Sequence, residues 1–269
     1  MTPIEDNAPS AIATPEEINA LRDVLKFGKS EVATFIRADG EPDFRALIIA
    51  LYARASTTLQ ALVLLVENGY GQQAMILNRA VFELLVDAYW IDANRDLAAE
   101  RFVQHARFQQ HLQREGLAPY ADRLDLQIPE ERLGKTELTE LRKLYRRSAG
   151  SWTGRSVKER VENIIESFDE EFDREQLRTL HDIVYRLDNQ ELHPSPWSLK
   201  RVLRRVPFES AGEMLQFRIA PEPELGPHAV RCGWWMYLQV LHLLIDLFEA
   251  PLEDALDRLR EEAPWARSQ

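Results

Sequence analysis

The chain has 269 residues, of which 45% are hydrophobic and 29% are charged, and its formal net charge is −11. A chain of this length and composition can bury a substantial core, which excludes an intrinsically disordered protein. The acidic balance weighs against nonspecific nucleic-acid binding. With only one cysteine, Cys232, the chain cannot form an intrachain disulfide.

The sequence predicts neither a secretory signal nor a membrane-spanning segment. Residues 1–14 carry acids and prolines and lack the apolar core of a signal peptide. The longest apolar run, 234–248, is shorter than the roughly 20 residues that a span needs. It is also interrupted by Gln239, His242 and Asp246. We therefore expect a cytoplasmic protein that does not contact a membrane.

Helical periodicity and capping residues predict nine helices. Thr14, Pro15 and Glu17 supply an N-cap, a first-turn proline and the acid of a capping box, which start the first helix. In later segments, hydrophobic residues recur every three or four positions, and glycine or proline often marks the helix end. The predicted helices cover residues 15–37, 42–66, 72–94, 96–115, 130–147, 156–168, 173–192, 228–248 and 252–262.

Residues 206–227 hold four prolines and interrupt the helical pattern. Within them, Leu215, Phe217 and Ile219 alternate with polar residues, which predicts a short strand. The sequence therefore predicts an all-α fold, a single helical bundle of about eight to ten helices with one irregular, proline-rich excursion.

No internal repeat or obvious linker divides the chain. We expect a disordered tail over residues 1–14 and a single helical domain over residues 15–263. The best candidate for a subdivision is the loop near residues 117–129.

Positive charge is concentrated in two stretches. Residues 142–160 hold seven basic side chains against one acid, and residues 200–205 hold four basic side chains and no acid. One interpretation is that both are solvated helix faces that balance acidic neighbours. The other is a phosphate-binding surface, in which Arg155 and Lys158 would support or bind the substrate.

Common cofactor and catalytic motifs are missing. The sequence has no glycine-rich phosphate loop, no paired-cysteine zinc spacing and no nucleophile elbow. His105 and His111 lie on one predicted helix without the partner pattern of a metal site. We therefore expect no cofactor and no metal ion.

Arg186 and His193 form the strongest candidate for a catalytic pair. Seven helical steps of 100° bring them to within about 20° of one another, on one face and about 10 Å apart, with Asn189 between them. The pKa of an ordinary histidine lies near neutrality, so His193 can move a proton to or from a ribose hydroxyl. Arg186 can grip a phosphate and stabilise its developing charge.

Two alternatives to this assignment stay open. Arg174 and His181 have the same spacing, so the pattern alone does not single out one pair. In addition, His193 can simply cap the C-terminus of its helix through the helix dipole. Pro194 disfavours helical dihedrals at His193, which affects the distance estimate.

The run from Arg186 to His193 resembles the motif of the HEPN superfamily (higher eukaryote and prokaryote nucleotide-binding domains), helical bundles that carry an arginine, four to six residues and a histidine. More narrowly, the chain resembles a bacterial family catalogued only as a domain of unknown function. The matching segments are Arg79–Glu83, Trp152–Arg160 and Tyr185–Ser195. The second is the most specific, and the resemblance favours the pair at Arg186 over the pair at Arg174.

The resemblance implies a metal-independent endoribonuclease that acts as a homodimer, because HEPN ribonucleases place two motifs across a twofold interface to form one cleft. It points to a toxin or effector in bacterial defence, with an RNA substrate and a protein antitoxin or defence partner. The chain departs from the pattern at Leu187, where active members usually carry a polar residue that Asn189 would have to replace. The alternative is a noncatalytic helical interaction module, or a sensor that binds a nucleotide or RNA.

Arg79, Glu83 and Asp87 form a polar stripe with a four-residue spacing on an otherwise apolar helix. One interpretation is an intrahelical ion pair or a buried polar tie between helices. In the functional interpretation, Glu83 orients Arg79 or Arg186 in the cleft. Trp152 is expected to be a packing anchor for its loop.

Overall fold

The computed structural model of the chain describes residues 12–36, 43–145, 151–168, 171–188, 203–208, 212–217 and 222–266. In chain order, its α-helices are α1 (Pro15–Phe27), α2 (Ala33–Phe35), α3 (Phe44–Glu67), α4 (Gly71–Ala93), α5 (Arg95–Leu117), α6 (Ala121–Leu124), α7 (Lys135–Tyr145), α8 (Val157–Ser167), α9 (Glu171–Leu180), α10 (Gly226–Leu247) and α11 (Glu253–Glu262). Nine of these helices have ten residues or more, whereas α2 and α6 are single short turns, so the prediction of an all-α fold with about eight to ten helices is confirmed.

Two further kinds of helical turn interrupt the regular α-helices. Gly28–Val32 and His181–Asp188 are π-helical, and Ala118–Tyr120 and Pro223–Leu225 are 3-10 turns. A π-helical turn closes its hydrogen bond from residue i to residue i+5, one residue more than an α-helical turn. Both π-helical segments lie inside stretches that the sequence predicts as single α-helices.

The proline-rich excursion contains an antiparallel hairpin of β1 (Leu203–Phe208) and β2 (Gly212–Phe217). Leu203 lies opposite Phe217 and Phe208 lies opposite Gly212. The predicted strand is therefore present at its first two positions, and Ile219 lies outside the described residues. Periodicity did not predict β1, which contains Pro207; proline is tolerated there because both strands of a two-stranded sheet are edge strands.

The chain divides into two compact units. Unit 1 comprises Met1–Arg37, Ile49–Leu85 and Glu170–Gln269, and unit 2 comprises Ala38–Ile48 and Val86–Asp169. The loop at 117–129 lies inside unit 2. Of the predicted tail, residues 1–11 lie outside the described residues, whereas Ala13 is buried and Thr14 caps α1.

In unit 1, α10 is the central helix, because 15 of its 22 residues are buried. The predicted capping box at the start of α1 is present, with the Thr14 side chain accepting from the Glu17 amide (3.2 Å) and Glu17 accepting from the Thr14 amide (3.0 Å). The other oxygen of Glu17 accepts from Arg231 Nη2 (2.6 Å) on α10. One buried carboxylate thus both caps α1 and joins it to the central helix.

In unit 2, α7 packs on α5. Tyr145 is fully buried, stacks on Phe108 with ring centroids 5.7 Å apart, and donates its hydroxyl to the Arg101 carbonyl. The helix predicted over 130–147 begins later, at Lys135, because the segment before it is held against α5. There, the Leu133 amide donates to Nδ1 of the buried His111 (3.4 Å), which gives His111 a structural partner.

Among the described residues, α3 is the one helix long and apolar enough to cross a membrane, with a mean hydropathy of 1.5. This criterion considers length and composition only, and the core helices of soluble proteins also satisfy it. The absence of membrane contact stays a prediction.

The first π-helical segment begins where Gly28 meets the central helix of unit 1. A Cβ at this position would lie 2.5 Å from the hydroxyl of Tyr237. That hydroxyl cannot easily withdraw, because Tyr237 is fully buried, is 2.8 Å from the Ser56 hydroxyl and has its ring stacked on Tyr52. Burial also raises the pKa of Tyr237 well above its usual range, so the phenol stays neutral.

We predict that Gly28→Ala destabilises the protein by about 1–3 kcal/mol, the usual cost of overpacking a filled core. Urea denaturation with an unchanged m-value would measure it. The matched control is Gly116→Ala on α5, where an added Cβ meets nothing within 4 Å. The control should be neutral or stabilising by up to about 1 kcal/mol, because alanine favours helix more than glycine does. Equal effects of the two substitutions would contradict the packing argument.

Candidate functional site

Arg186 lies in the second π-helical segment, His181–Asp188, which continues α9 without a break. The side chain of Arg186 and the whole of Asn189 and His193 lie outside the described residues. The sequence estimate placed Arg186 and His193 on one face by counting 100° at every step. That count does not hold for the steps up to Asp188, because a π-helical residue turns the chain by less than 100°.

Arg79 contacts the π-helical segment from α4. Its guanidinium carbon lies 5.1 Å from the centroid of the Tyr185 ring, a cation–π distance, and its Nε donates to Glu83 Oε1 (3.2 Å). The Arg79 side chain is 18% exposed and that of Glu83 is 40% exposed, so the pair reaches the surface of unit 1. The intrahelical ion pair is therefore present, whereas an interior location for the pair is wrong because Glu83 is exposed, and the orienting role of Glu83 stays a prediction.

His181, the histidine of the alternative pair, packs among aromatic rings. It stacks on Tyr185 with centroids 5.4 Å apart and planes 13° apart, and it lies 6.2 Å from Phe82. Its Nδ1 is 3.2 Å from a carboxylate oxygen of Asp182. The ring is buried, which gives His181 a packing role and poor access to a large substrate.

The third member of the stripe, Asp87, belongs to unit 2 and has different partners from Arg79 and Glu83. One carboxylate oxygen accepts from Trp152 Nε1 (3.0 Å), and the other accepts from Nη1 of Arg160. Arg160 is 4% exposed, and it is the last residue of the segment that is most specific in the family resemblance. Asp87 therefore ties both ends of that segment to α4, which favours the interpretation as a buried polar tie.

Trp152 is a packing anchor, as the sequence predicts. Its ring is buried edge-on against Trp90 (centroids 5.1 Å apart) and against Phe102 (5.7 Å). Two neighbours fix the turn that follows it. The carbonyl of Thr153 accepts from Arg101 Nη1 (2.8 Å), and Gly154 has φ of 72°, a left-handed conformation that favours glycine.

The segment then enters α8 through a capping box. The Ser156 side chain accepts from the Glu159 amide, and Glu159 accepts from the Ser156 amide (2.7 Å). Ser156, Glu159, Trp152, Gly154 and Arg160 are the positions at which this segment matches the family pattern. Each of them has a local structural role.

Arg155 and Lys158, predicted to support or bind a substrate, are exposed on unit 2. Lys158 Nζ lies 3.6 Å from Glu162, whereas Arg155 forms no ion pair with any described residue. On α7, Arg142 and Lys143 are likewise exposed and without an ion pair among the described residues. The basic stretch at 142–160 is thus partly a cationic surface, although Arg160 is buried and does not belong to it. Arg146 and Arg147, and the side chains of the second basic stretch, lie outside the described residues.

One group of metal-type donor atoms is present in unit 1, although the sequence predicts none. His242 and Asp246 on α10 and Glu253 on α11 each bring one donor atom within 4.8 Å of the other two. The spacing of four residues between His242 and Asp246, which puts both on one face of a helix, is the sequence feature that could have predicted this group. Sequence reasoning treated both residues only as interruptions of an apolar run, and Glu253 comes close through the turn between the two helices.

We predict that Asp87→Ala destabilises the protein by about 3 kcal/mol or more, because it removes a carboxylate that pairs with the buried guanidinium of Arg160. Urea denaturation would measure the change. Replacing both partners, as Asp87→Ala with Arg160→Met, should recover part of the loss, which a double-mutant cycle would quantify.

The control is Glu162→Ala, which breaks the exposed pair with Lys158 and should cost less than about 1 kcal/mol. If Asp87→Ala were no more harmful than this control, the polar tie would not hold the segment.

Comparison with known proteins supports the resemblance of this chain to a family of unknown function. No curated protein and no solved structure matches the chain. Residues 45–210 match DUF5677, a family of unknown function, and this match includes α3 to α9 and the hairpin strand β1. Because it covers more than half of the 269 residues, the chain belongs to the DUF5677 family.

Proposed function

We propose that this chain is a metal-independent endoribonuclease of the HEPN type, with Arg186 and His193 as its catalytic residues and a homodimer as its active form. The observation that carries the proposal is the π-helical segment containing Arg186, packed against the Arg79–Glu83 pair. π-Helical turns inside α-helices are rare and are frequently found at functional sites. Arg79, which contacts Tyr185 in the same segment, adds a guanidinium to this surface of unit 1, and guanidinium groups bind phosphates well.

The proposed reaction uses the substrate's own nucleophile. The ribose 2′-oxygen attacks phosphorus and forms the O2′–P bond as the P–O5′ bond breaks, which leaves a 2′,3′-cyclic phosphate and a 5′-hydroxyl. His193 of one protomer takes the proton from the 2′-hydroxyl, and the equivalent histidine of the second protomer protonates the leaving 5′-oxygen. Arg186 stabilises the additional negative charge on the phosphoryl oxygens.

We propose that RNA is held by exposed cations that form no ion pair within the described part of the chain. Arg155 on unit 2, and Arg142 and Lys143 on α7, are exposed and form no ion pair with a described residue. Such side chains attract phosphates locally even though the whole chain carries a net charge of −11.

The second candidate is a noncatalytic interaction or sensor module that binds a nucleotide, an RNA or a partner protein. Leu187 favours it, because this residue replaces the polar side chain usual after the motif arginine in active HEPN ribonucleases. The net negative charge favours it as well. For the ribonuclease, we propose the role that the HEPN resemblance implies, a cytoplasmic toxin or defence effector with a protein antitoxin or defence partner.

We predict that the purified protein cleaves single-stranded RNA in EDTA and leaves 2′,3′-cyclic phosphate ends. DNA should stay intact, because it lacks the 2′-hydroxyl. His193→Ala and Arg186→Ala should each slow cleavage by about 10²–10⁴-fold. Denaturing gels with end-group analysis would measure both the rate and the product.

The matched control is His181→Phe, which keeps a ring against Tyr185 and Phe82 and should leave the rate unchanged. All variants are first checked by circular dichroism. Intact RNA after long incubation with concentrated wild-type protein, or normal cleavage by the His193 variant, would overturn the enzyme in favour of the binding module.

We also predict a homodimer whose interface includes the motif helix, α9 with its π-helical continuation. Light scattering at micromolar concentration should give about twice the 31.1 kDa of one chain. A charge reversal on the exposed face of α9, Glu175→Lys, should weaken the dimer, whereas Glu261→Lys on α11 should not. A monomer in the wild-type protein would contradict this prediction and the composite cleft.

A further inference from the structure

We infer that His242, Asp246 and Glu253 form a binding site for a divalent transition-metal ion, with Zn²⁺ as the favoured ion. The site lies at the junction of α10 and α11 in unit 1 and shares no residue with the proposed ribonuclease site. His242 and Asp246 are four residues apart and project from one side of α10, while Glu253 is the first residue of α11.

The distances fit an ion between the donor atoms. His242 Nδ1 lies 3.7 Å from Asp246 Oδ2, which is too long for a hydrogen bond. Two donors that each lie about 2.1 Å from a shared Zn²⁺ are separated by this distance when the angle at the ion is about 120°. The carboxylate of Glu253 is within 4.8 Å of both donors and is exposed, so a small side-chain rotation completes a three-ligand site.

The electrostatic surroundings favour a cation. His242 and Asp246 lie in the last two turns of a 22-residue helix, where the helix dipole is negative and the terminal carbonyls point toward the junction. Neither Asp246 nor Glu253 forms an ion pair with a lysine or arginine among the described residues. The two carboxylates are therefore available to a metal ion, and their mutual repulsion falls when one binds.

The donor set selects the kind of ion. One imidazole nitrogen and two carboxylate oxygens suit Zn²⁺ and its borderline neighbours, whereas Mg²⁺ and Ca²⁺ prefer oxygen alone. Water would complete the coordination shell, because the site is open to solvent. Bound Zn²⁺ would join α11 to α10, and α11 buries Leu256, so metal binding should stabilise this end of unit 1.

Isothermal titration of the full-length protein with Zn²⁺ alone tests the site. We expect one ion per chain, and a rise in Tm of about 5–10 °C at a free Zn²⁺ concentration about a hundred times Kd. Co²⁺ in place of Zn²⁺ should give visible absorption bands. His242→Ala and Glu253→Gln should each weaken Zn²⁺ binding by at least about 10-fold, because even residues that only orient ligands contribute 10–100-fold.

The matched control is Asp254→Asn, which removes the same charge as Glu253→Gln from the neighbouring exposed residue of α11. It should leave Kd unchanged. The inference is overturned if the wild-type protein fails to bind Zn²⁺ at millimolar concentration, if His242→Ala binds normally, or if Asp254→Asn weakens binding as much as Glu253→Gln. None of these measurements depends on RNA cleavage, so the metal site and the ribonuclease activity are tested independently.

Discussion

Burying a charged guanidinium has a large free-energy cost in folding, and unit 2 buries the guanidinium of Arg160. The carboxylate of Asp87 offsets the cost of dehydrating that charge, and the same carboxylate accepts from the indole N–H of Trp152. Two contacts from one side chain thereby fix the start and the end of a nine-residue segment. The turn at Gly154 and the start of α8 follow from those fixed ends.

Much of the fold was predictable because it depends on local rules. Periodic hydrophobic residues located the long helices of the described residues, and the capping box at Thr14 marked the start of the first, whereas the one at Ser156 was not predicted. The π-helical segments were not predictable, since an α-helix and a π-helix share the same residue preferences. Gly28 begins one where it meets the distant hydroxyl of Tyr237, a tertiary contact that the local sequence does not contain, and β1 likewise depends on its pairing with β2.

In the candidate sites too, the features that depend on local spacing were predictable and those that depend on tertiary packing were not. The spacing of Arg79 and Glu83 predicted their ion pair, because residues four apart are neighbours on any α-helix. The same spacing suggested that Asp87 continues the stripe, yet tertiary packing gives it to Trp152 and Arg160. Glu253 comes close to His242 because of the turn after α10. In that turn Glu249 adopts a left-handed conformation with φ of 50°, which the sequence does not predict.

The π-helical segment at His181–Asp188 also bears on how such a motif tolerates insertions. A hydrogen-bonded turn that holds one extra residue absorbs a single-residue insertion inside the helix, while the residues on either side keep their directions. A helix that exchanges α-helical for π-helical turns can therefore accept different numbers of residues between an arginine and a histidine and still present both to the same partner. In this chain, Arg186 lies inside such a π-helical segment, two residues before the segment ends at Asp188.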